Sequence, residues 1–416
     1  MSQVLYRPLE NDGDSFRLLQ LHPGQEGDPI VVSIVPARLS QCQPYDAVSY
    51  VWGSPENQPE IEVDGVFLTI RRSLFDFLGV LRKPTSPRLL YADAVCINQT
   101  DDKEKSRQVP MMGDIYKSAT RVLAWLGPGS PESDALFHMS SRVSAQDCHL
   151  DENGKPHWKQ DICSPSERTS LQSTLQKILD RDYWKRAWII QECLLARVLS
   201  LYSGHAETSW DQFLVLHMML LNKKPIAERY TWGSIFVNIT RFDHLAGERA
   251  RIHEYPKSLG RIVETFNAVE STDPRDMVYA FSGLIRESQP GYPGRIVVDY
   301  STSATLLYFQ AGYVCLLKNE YRPHRILHAL RSMLKLSTVG LLDVVCELMD
   351  PDDLLSPVDW IVGNWEVHED PKGRVFRKER KGDLDYMHCH VTDLATLIHL
   401  LESKNKANPE MDLTTK

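Results

Sequence analysis

The stretch Leu89–Gly127 constrains the fold of this chain more than any other part of its sequence. A short apolar run ends at Asp93, a polar loop carries Asn98 and Gln99, and an amphipathic segment then leads to a second apolar run at 121–126. This order predicts a strand, a loop, a helix and a second strand. Because strands joined through a crossover helix run parallel, the sequence predicts an α/β fold built on a parallel sheet.

Three polar residues, Asp93, Asn98 and Gln99, follow the first of these strands. In open parallel sheets, ligands bind outside the carboxyl ends of the strands. We therefore expect these three side chains to face a ligand crevice. Asp93 also has a structural interpretation, since a carboxylate in this position can accept hydrogen bonds from the backbone of its own loop.

The segments before this unit carry signals for β-structure. β-favouring runs at Phe16–Leu21, Ile30–Val35 and Tyr45–Gly53 predict three strands. The run IEVDGVFLTI predicts a hairpin that turns at Asp64-Gly65 in a type I′ turn. Ser73 is the expected N-terminal cap of the helix that follows.

Changes in residue pattern along the chain predict its domains. Residues 1–44 read as a β-rich lead-in packed on an α/β domain at 45–204. A polar, proline-containing segment at about 146–168 reads as a surface insertion in that domain. Residues 205–403 alternate helical apolar patterns with loops and predict a mainly α-helical region, and 404–416 form a polar tail. The predicted helices of this region include 274–284 and 325–349, and its basic segment 372–381 is expected to be a solvated loop.

Length, charge and cysteine usage narrow the class of protein. A chain of 416 residues with a net charge of -8 and 42% hydrophobic residues is typical of a globular protein, and it lacks the sustained basic surface that nucleic-acid binding needs. Eight cysteines without a CxxC pair predict reduced thiols, and the local His388-Cys389-His390 cluster does not by itself make a metal site. No signal peptide or membrane-spanning apolar run occurs. We therefore expect a cytoplasmic protein that binds no nucleic acid and spans no membrane.

The segment AWIIQECLLA, residues 187–196, contains the sharpest anomaly in the sequence. It belongs to a helix predicted from about Tyr183 to Ala196, which is apolar on nearly all sides here and hence buried, yet carries Glu192. Burial disfavours a charged carboxylate unless donors reach it, and such groups cluster at functional sites. Trp188 lies four residues earlier on the same helix face, so an aromatic ring and a carboxylate would line one pocket wall.

These candidates have structural alternatives that the residues alone leave open. Glu192 could pair with Arg121 or Arg186 and only anchor its helix. Trp52 could be a core residue rather than a platform for a ligand. Glycine-rich phosphate loops, Walker motifs and nucleophile elbows are absent from the sequence, so no motif of that kind names a chemistry.

Several long blocks of the sequence together resemble the heterokaryon-incompatibility (HET) domain of filamentous fungi. They are YDAVSYVWG, LLYADAVCINQTDDKEKSRQV, MGDIYKSATRVLAWLG and RAWIIQECLLA, in family order over 45–196. STDPRDMVYAFSGL and VVDYSTSATLLYFQAG resemble the region that commonly follows a HET domain. Tyr91, Lys105 and Pro110 depart from the family pattern, and Pro110 is awkward inside a predicted helix.

The resemblance extends to TIR domains, of which HET domains are regarded as distant relatives, and it implies a TIR/flavodoxin-like parallel sheet flanked by helices. YDAVSY is similar to the first-strand pattern of TIR domains, and WIIQE matches the spacing of their WCxxE motif. The glutamate of that motif is catalytic in TIR domains that hydrolyse NAD, which implies that Glu192 is catalytic here. Asp93, Asn98, Gln99, Trp52 and Trp188 would then bind the substrate, NAD, and no cofactor or metal would be required.

Three hypotheses about function follow from the resemblance. In the first, the chain is a cell-death effector of heterokaryon incompatibility whose HET domain consumes NAD after self-association. Alternatively, it is a non-enzymatic module that assembles with other HET or TIR-like signalling proteins, with Glu192 in a structural role. A third hypothesis is a HET-like protein with an accessory or regulatory role beside a biosynthetic gene cluster.

Overall fold

A computed structural model of the chain describes most of the first 336 residues and two later strands. The described ranges are 5–10, 12–152, 156–159, 162–221, 241–292, 295–317, 323–336, 365–369 and 375–379. Residue contacts divide the chain into two compact units, 1–255 and 256–416. The boundary at 204 was predicted from the residue pattern as the end of the α/β domain, and it stays a prediction.

The first unit contains eleven strands and nine α-helices among its described residues. The strands are β1 (Ser15–Leu21), β2 (Val31–Arg38), β3 (Asp46–Tyr50), β4 (Glu60–Val63), β5 (Val66–Thr69), β6 (Arg88–Tyr91), β7 (Arg121–Trp125), β8 (Cys148–Leu150), β9 (Pro156–Trp158), β10 (Leu199–Ser203) and β11 (Ala206–Ser209). The helices are α1 (Arg72–Leu81), α2 (Asp93–Cys96), α3 (Asp102–Gln108), α4 (Met112–Ser118), α5 (Pro131–Ser140), α6 (Pro165–Leu179), α7 (Trp188–Leu195), α8 (Trp210–Leu220) and α9 (Arg241–Ala250).

Nine of these strands form one mixed sheet in the order β11-β10-β7-β3-β6-β1-β2-β4-β5. Its centre, β6-β3-β7-β10, is parallel throughout. Numbered along the chain, these four strands lie in the order 2-1-3-4, which is the order of flavodoxin-like folds. The predicted α/β fold with a parallel sheet flanked by helices is therefore confirmed. The flanking strands pair antiparallel on both sides of this centre, except that β2 and β4 are parallel.

The buried side chains of the parallel strands explain why this centre forms. Each of β3 and β7 has four consecutive fully buried residues, as expected for strands that helices cover on both faces. All five residues of β10 are buried as well. The apolar run at 121–126, which contains β7, was predictable as a strand for this reason.

The β4–β5 hairpin confirms the predicted turn and corrects the predicted helix cap. Asp64 and Gly65 have φ values of 50° and 80°, as a type I′ turn requires. The next helix starts at Arg72, one residue before Ser73, and Arg71 occupies the cap position without a side-chain bond. The Ser73 hydroxyl instead donates to the carbonyl of Val51, so this residue ties α1 to the end of β3.

Two helices differ from their predicted extents for identifiable reasons. Pro110 lies in a 3-10 turn at 109–111 that separates α3 from α4, so the predicted helix is interrupted where proline removes a hydrogen bond. The helix predicted to begin near Tyr183 begins at Trp188, since 182–185 form a separate 3-10 turn. The polar segment at 146–168 contains the β8–β9 hairpin and the start of α6.

The second unit contains α10 (Leu259–Phe266), α11 (Asp276–Tyr279), α12 (Ala304–Leu317), α13 (Pro323–Met333) and the antiparallel pair β12 (Trp365–Glu369) and β13 (Val375–Glu379). Helices α10, α12 and α13 pack against one another. Where one helix was predicted over 274–284, the structure has the four-residue helix α11, followed by turns. Part of the basic segment 372–381, predicted as a loop, forms β13.

Some predictions lie outside the described residues. They are the His388-Cys389-His390 cluster, the polar tail at 404–416 and the helix predicted beyond 336. Within the described part of the chain, no helix combines the length and the apolar character needed to cross a bilayer.

Candidate functional site

The Asp93 carboxylate joins the carboxyl ends of two neighbouring parallel strands. It follows β6 directly, and its Oδ1 accepts hydrogen bonds from the Tyr50 hydroxyl at 2.9 Å and from the Ala94 backbone at 2.9 Å. Its Oδ2 accepts a bond of 3.2 Å from the indole nitrogen of Trp52, just past the end of β3. The structural interpretation of Asp93 is therefore correct in part, because one of its three donors belongs to its own loop.

Glu192 lies inside the molecule, as the apolar pattern of its helix predicted. It is 1% exposed, and its atom Oε2 has no hydrogen-bond partner among the described residues. A buried acceptor that is left without a donor costs about 1–3 kcal/mol. A carboxyl group in this position is therefore stable either in its protonated, neutral form or when a hydrogen-bond donor reaches it.

The surroundings of Glu192 raise its pKa from 4.5 to about 7. Burial is the largest cause, because it penalises the charged form. The positive charge of Arg186 lowers this pKa, the negative charge of Asp93 raises it, and a hydrogen bond from the Ser49 hydroxyl lowers it. The carboxyl group thus titrates near neutral pH, where both of its protonation states are populated.

The positive charge of Arg186 interacts with both carboxylates, Glu192 and Asp93. Its guanidinium donates to the carbonyl of Tyr50 at the end of β3. Burial lowers the pKa of Arg186, whereas Glu192 and Asp93 raise it, and the net effect is a higher pKa than usual. Arg186 was one of two predicted partners of Glu192. The other, Arg121, pairs with Asp46 and Glu207 at the opposite end of the parallel strands.

Of the remaining predicted site residues, Asn98 and Gln99 bond within their own loop, whereas Trp52 and Trp188 are half-buried aromatic residues. The Gln99 side chain donates to the Asp93 carbonyl at 2.9 Å, and so it holds the loop that carries Asp93. The side-chain oxygen of Asn98 accepts from the backbone and hydroxyl of Thr100, so it is used within its own turn. Trp52 and Trp188 are half-buried, Trp188 as the first residue of α7.

Three residues that the sequence did not single out belong to the site, and a fourth, Arg186, had been named only as a structural partner of Glu192. Tyr50 and Ser49 lie on β3, Arg186 precedes α7, and the Tyr183 hydroxyl bonds Ser49 at 2.8 Å. Burial, together with the nearby acids, holds the pKa of Tyr50 well above its usual range. Tyr50 and Ser49 are the last residues of YDAVSY, so the pattern that predicted the strand already contained them.

The cluster of Tyr50, Trp52, Asp93, Arg186 and Glu192 can supply one titrating acid, one fixed cation and aromatic surface. Among the described residues there is no group of three or more metal-ligating side chains. The chemistry that this arrangement favours is stabilisation of a developing positive charge by a carboxylate.

The profile of the heterokaryon incompatibility protein (HET) family matches residues 45–192. Residues 45–192 form a HET domain. The match begins one residue before β3 and ends at Glu192, so it encloses all five residues of the cluster. It also contains β3, β6 and β7, three of the four parallel strands at the centre of the sheet, whereas β10 follows the matched range.

A relative of this HET-domain protein is the "Heterokaryon incompatibility protein 6, OR allele" of Neurospora crassa. The two are 31% identical over 349 residues, which cover 72% of this chain and 51% of the relative. The chain thus spans about half the length of this curated relative. No solved structure is similar enough to count as a match.

Proposed function

We propose that this protein acts in heterokaryon incompatibility and the associated cell death, and that its HET domain cleaves NAD with Glu192 as the catalytic carboxylate. The family match and the name of the Neurospora crassa relative support the first part. The observation that carries the second part is the buried Glu192, with an unpartnered oxygen and a pKa of about 7, beside Asp93 at the carboxyl edge of the parallel sheet.

The proposed reaction breaks the bond between nicotinamide and ribose. Water supplies the hydroxyl group, and the products are nicotinamide, ADP-ribose and a proton. Positive charge develops on the ribose as the bond breaks, and the ionised Glu192 would stabilise it and hold a ribose hydroxyl. Trp52 and Trp188 offer aromatic surfaces for a base, while Asp93, Asn98 and Gln99 remain proposed substrate contacts. Because Glu192 is 1% exposed, the reaction requires an open conformation in which substrate reaches it.

A second function is favoured by the same burial. A carboxylate that neighbours Arg186 inside the domain can serve stability alone, and the HET domain would then be a module that assembles with other HET or TIR-like proteins. A regulatory role beside a biosynthetic gene cluster would be a variant of this non-enzymatic alternative.

Incubation of the purified full chain with NAD tests the enzymatic proposal. We expect release of nicotinamide, measured by liquid chromatography and mass spectrometry, and its loss in Glu192→Gln. Glu207→Gln, which changes a partly exposed acid paired with Arg121, is the matched control and should keep the activity. Intact NAD at high protein concentration, together with unchanged killing of fungal cells by Glu192→Gln, would leave the assembly module as the function.

A further inference from the structure

The two edges of the nine-stranded sheet are protected to different degrees. At one edge, β11 carries Glu207, which pairs with Arg121, and Thr208, which is buried and bonds Ser140 of α5. At the other edge, β5 is the last strand among the residues that the structure describes, and it presents Phe67, which is 68% exposed. An exposed aromatic residue on an unpaired edge strand is a template for pairing with another chain.

The register of the β4–β5 hairpin shows which backbone groups are free to pair. Val63 and Val66 flank the two-residue turn and bond each other, and two residues further on Ile61 faces Leu68. The Ile70 backbone donates to the Pro59 carbonyl at 2.9 Å, which continues the alternation. The N–H and C=O groups of Phe67 and Thr69 therefore point away from β4, toward the open edge.

The two ends of β5 carry side chains of opposite charge. The turn at the start of the strand carries exposed Asp64, whose Oδ2 accepts a hydrogen bond from the Ile34 backbone. The segment after the strand carries Arg72, whose side chain is 67% exposed and pairs with Asp76 of its own helix. In an antiparallel pair of two such strands, the acidic start of each lies beside the basic end of the other. A parallel pair would bring like charges together.

We propose that β5 is a self-association surface, through which two copies of this chain pair antiparallel across a two-fold axis at Leu68. This register places Phe67 opposite Thr69 of the second copy in two hydrogen-bonded pairs, and Asp64 opposite Arg72 of the second copy. The two sheets become one sheet of eighteen strands, in which the rings of Phe67 cover the new junction. The inference rests on the edge geometry and on the charges at the two ends of β5, and it is independent of NAD cleavage.

Sedimentation of the full chain over a concentration series tests the pairing. We expect a concentration-dependent dimer that Phe67→Lys abolishes. Thr69→Pro should abolish it too, because it removes an outward-facing N–H without touching the bonds between β4 and β5. The matched control is Val297→Lys, which places the same charge at another apolar residue, 56% exposed, and should leave the dimer intact. A wild-type chain that stays monomeric throughout overturns the proposal.

Disulfide trapping tests the register. In the proposed dimer, Leu68 faces its own copy in a non-hydrogen-bonded pair, where Cα atoms are close enough for a disulfide. Leu68→Cys should therefore form a covalent dimer on mild oxidation, whereas the unmodified chain and Thr69→Cys should not. Equal cross-linking of both cysteine variants would contradict the two-fold axis at Leu68. NAD assays on Phe67→Lys keep the two proposals distinguishable, since loss of the dimer and loss of nicotinamide release are separate measurements.

Discussion

Glu192 owes its unusual state to the difference between the folded and unfolded chain. In the unfolded chain its pKa is near 4.5, and in the folded protein it is about 7. Between these values the folded protein holds a proton that the unfolded chain has lost. The contribution of Glu192 to stability is therefore complete below 4.5 and is lost as the pH rises through 7.

The first prediction concerns this pH dependence. Replacing Glu192 by Gln, an uncharged isostere, should remove the loss of stability that Glu192 causes. The free energy of unfolding of Glu192→Gln relative to wild type should rise by roughly 2–3 kcal/mol between about pH 5 and about pH 8. Urea denaturation at the two pH values measures this. A difference that does not change with pH would show that folding does not shift the pKa of Glu192.

Asp93 should influence Glu192 through its charge. Asp93→Asn removes a negative charge that raises the pKa of Glu192, so that pKa should fall below about 7. It also leaves only one acceptor oxygen for the hydroxyl of Tyr50 and the indole of Trp52. Carbon NMR of glutamate side-chain carboxyl groups follows the titration, and Glu192→Gln identifies the resonance. An unchanged midpoint would mean that the two carboxylates do not interact.

At the scale of elements, a buried ion pair fixes the loop that carries Asp93. Arg17 of β1 and Glu104 of α3 are 2% and 4% exposed, and the Arg17 Nη2 atom lies 3.0 Å from Glu104 Oε2. Arg17 also donates to the Cys96 carbonyl at 3.1 Å, and Glu104 accepts from the Asn98 backbone at 2.8 Å. The lead-in segment thus holds the loop at 93–104 against the sheet.

Breaking this pair on one side should be more harmful than removing it. Glu104→Gln leaves the Arg17 cation buried without its charge partner, and we expect a loss of about 3–5 kcal/mol in the free energy of unfolding. The double variant Arg17→Met/Glu104→Met should lose less, because no buried charge remains. The exposed Arg72–Asp76 pair is the control, and Asp76→Asn should cost less than about 1 kcal/mol. A double variant as unstable as Glu104→Gln would contradict this account.

The whole molecule consists of two units, and the second has its own polar anchor. In the segment DPRD, Arg275 pairs with Asp273 at 2.6 Å and donates to the carbonyls of Tyr300 and Thr302. The Tyr300 hydroxyl donates to Asp276 at 2.7 Å. Together these bonds tie the loop before α12 to the turns around α11.

Loss of this anchor should be confined to the second unit. Arg275→Leu removes all the bonds of the guanidinium, so amide hydrogen exchange should become faster in peptides covering 271–317. Peptides from the parallel sheet of the first unit serve as the internal reference and should keep their protection. Faster exchange throughout both units would show that the two do not unfold separately.

The sequence by itself determined the parts of this protein that depend on local pattern. Apolar runs predicted the strands, the Asp64-Gly65 pair predicted its turn, and the order of strands and helices predicted the parallel sheet. The apolar helix around Glu192 predicted its burial, since a helix without a polar face has no other stable position. Family blocks located the domain.

Only the tertiary structure decided which side chains meet. The contacts of Asp93 with Tyr50 and Trp52 join residues more than forty positions apart, and no periodicity in the chain encodes such a distance. Arg186 rather than Arg121 lies near Glu192 because of strand direction: Arg121 is the first residue of β7, at the amino ends of the parallel strands, whereas Asp93 follows the carboxyl end of β6. Ser73, predicted to cap α1, instead donates to the carbonyl of Val51, and Asn98, predicted to face a ligand crevice, accepts hydrogen bonds within its own turn. Local pattern specifies elements, whereas packing distributes hydrogen bonds and charges among them.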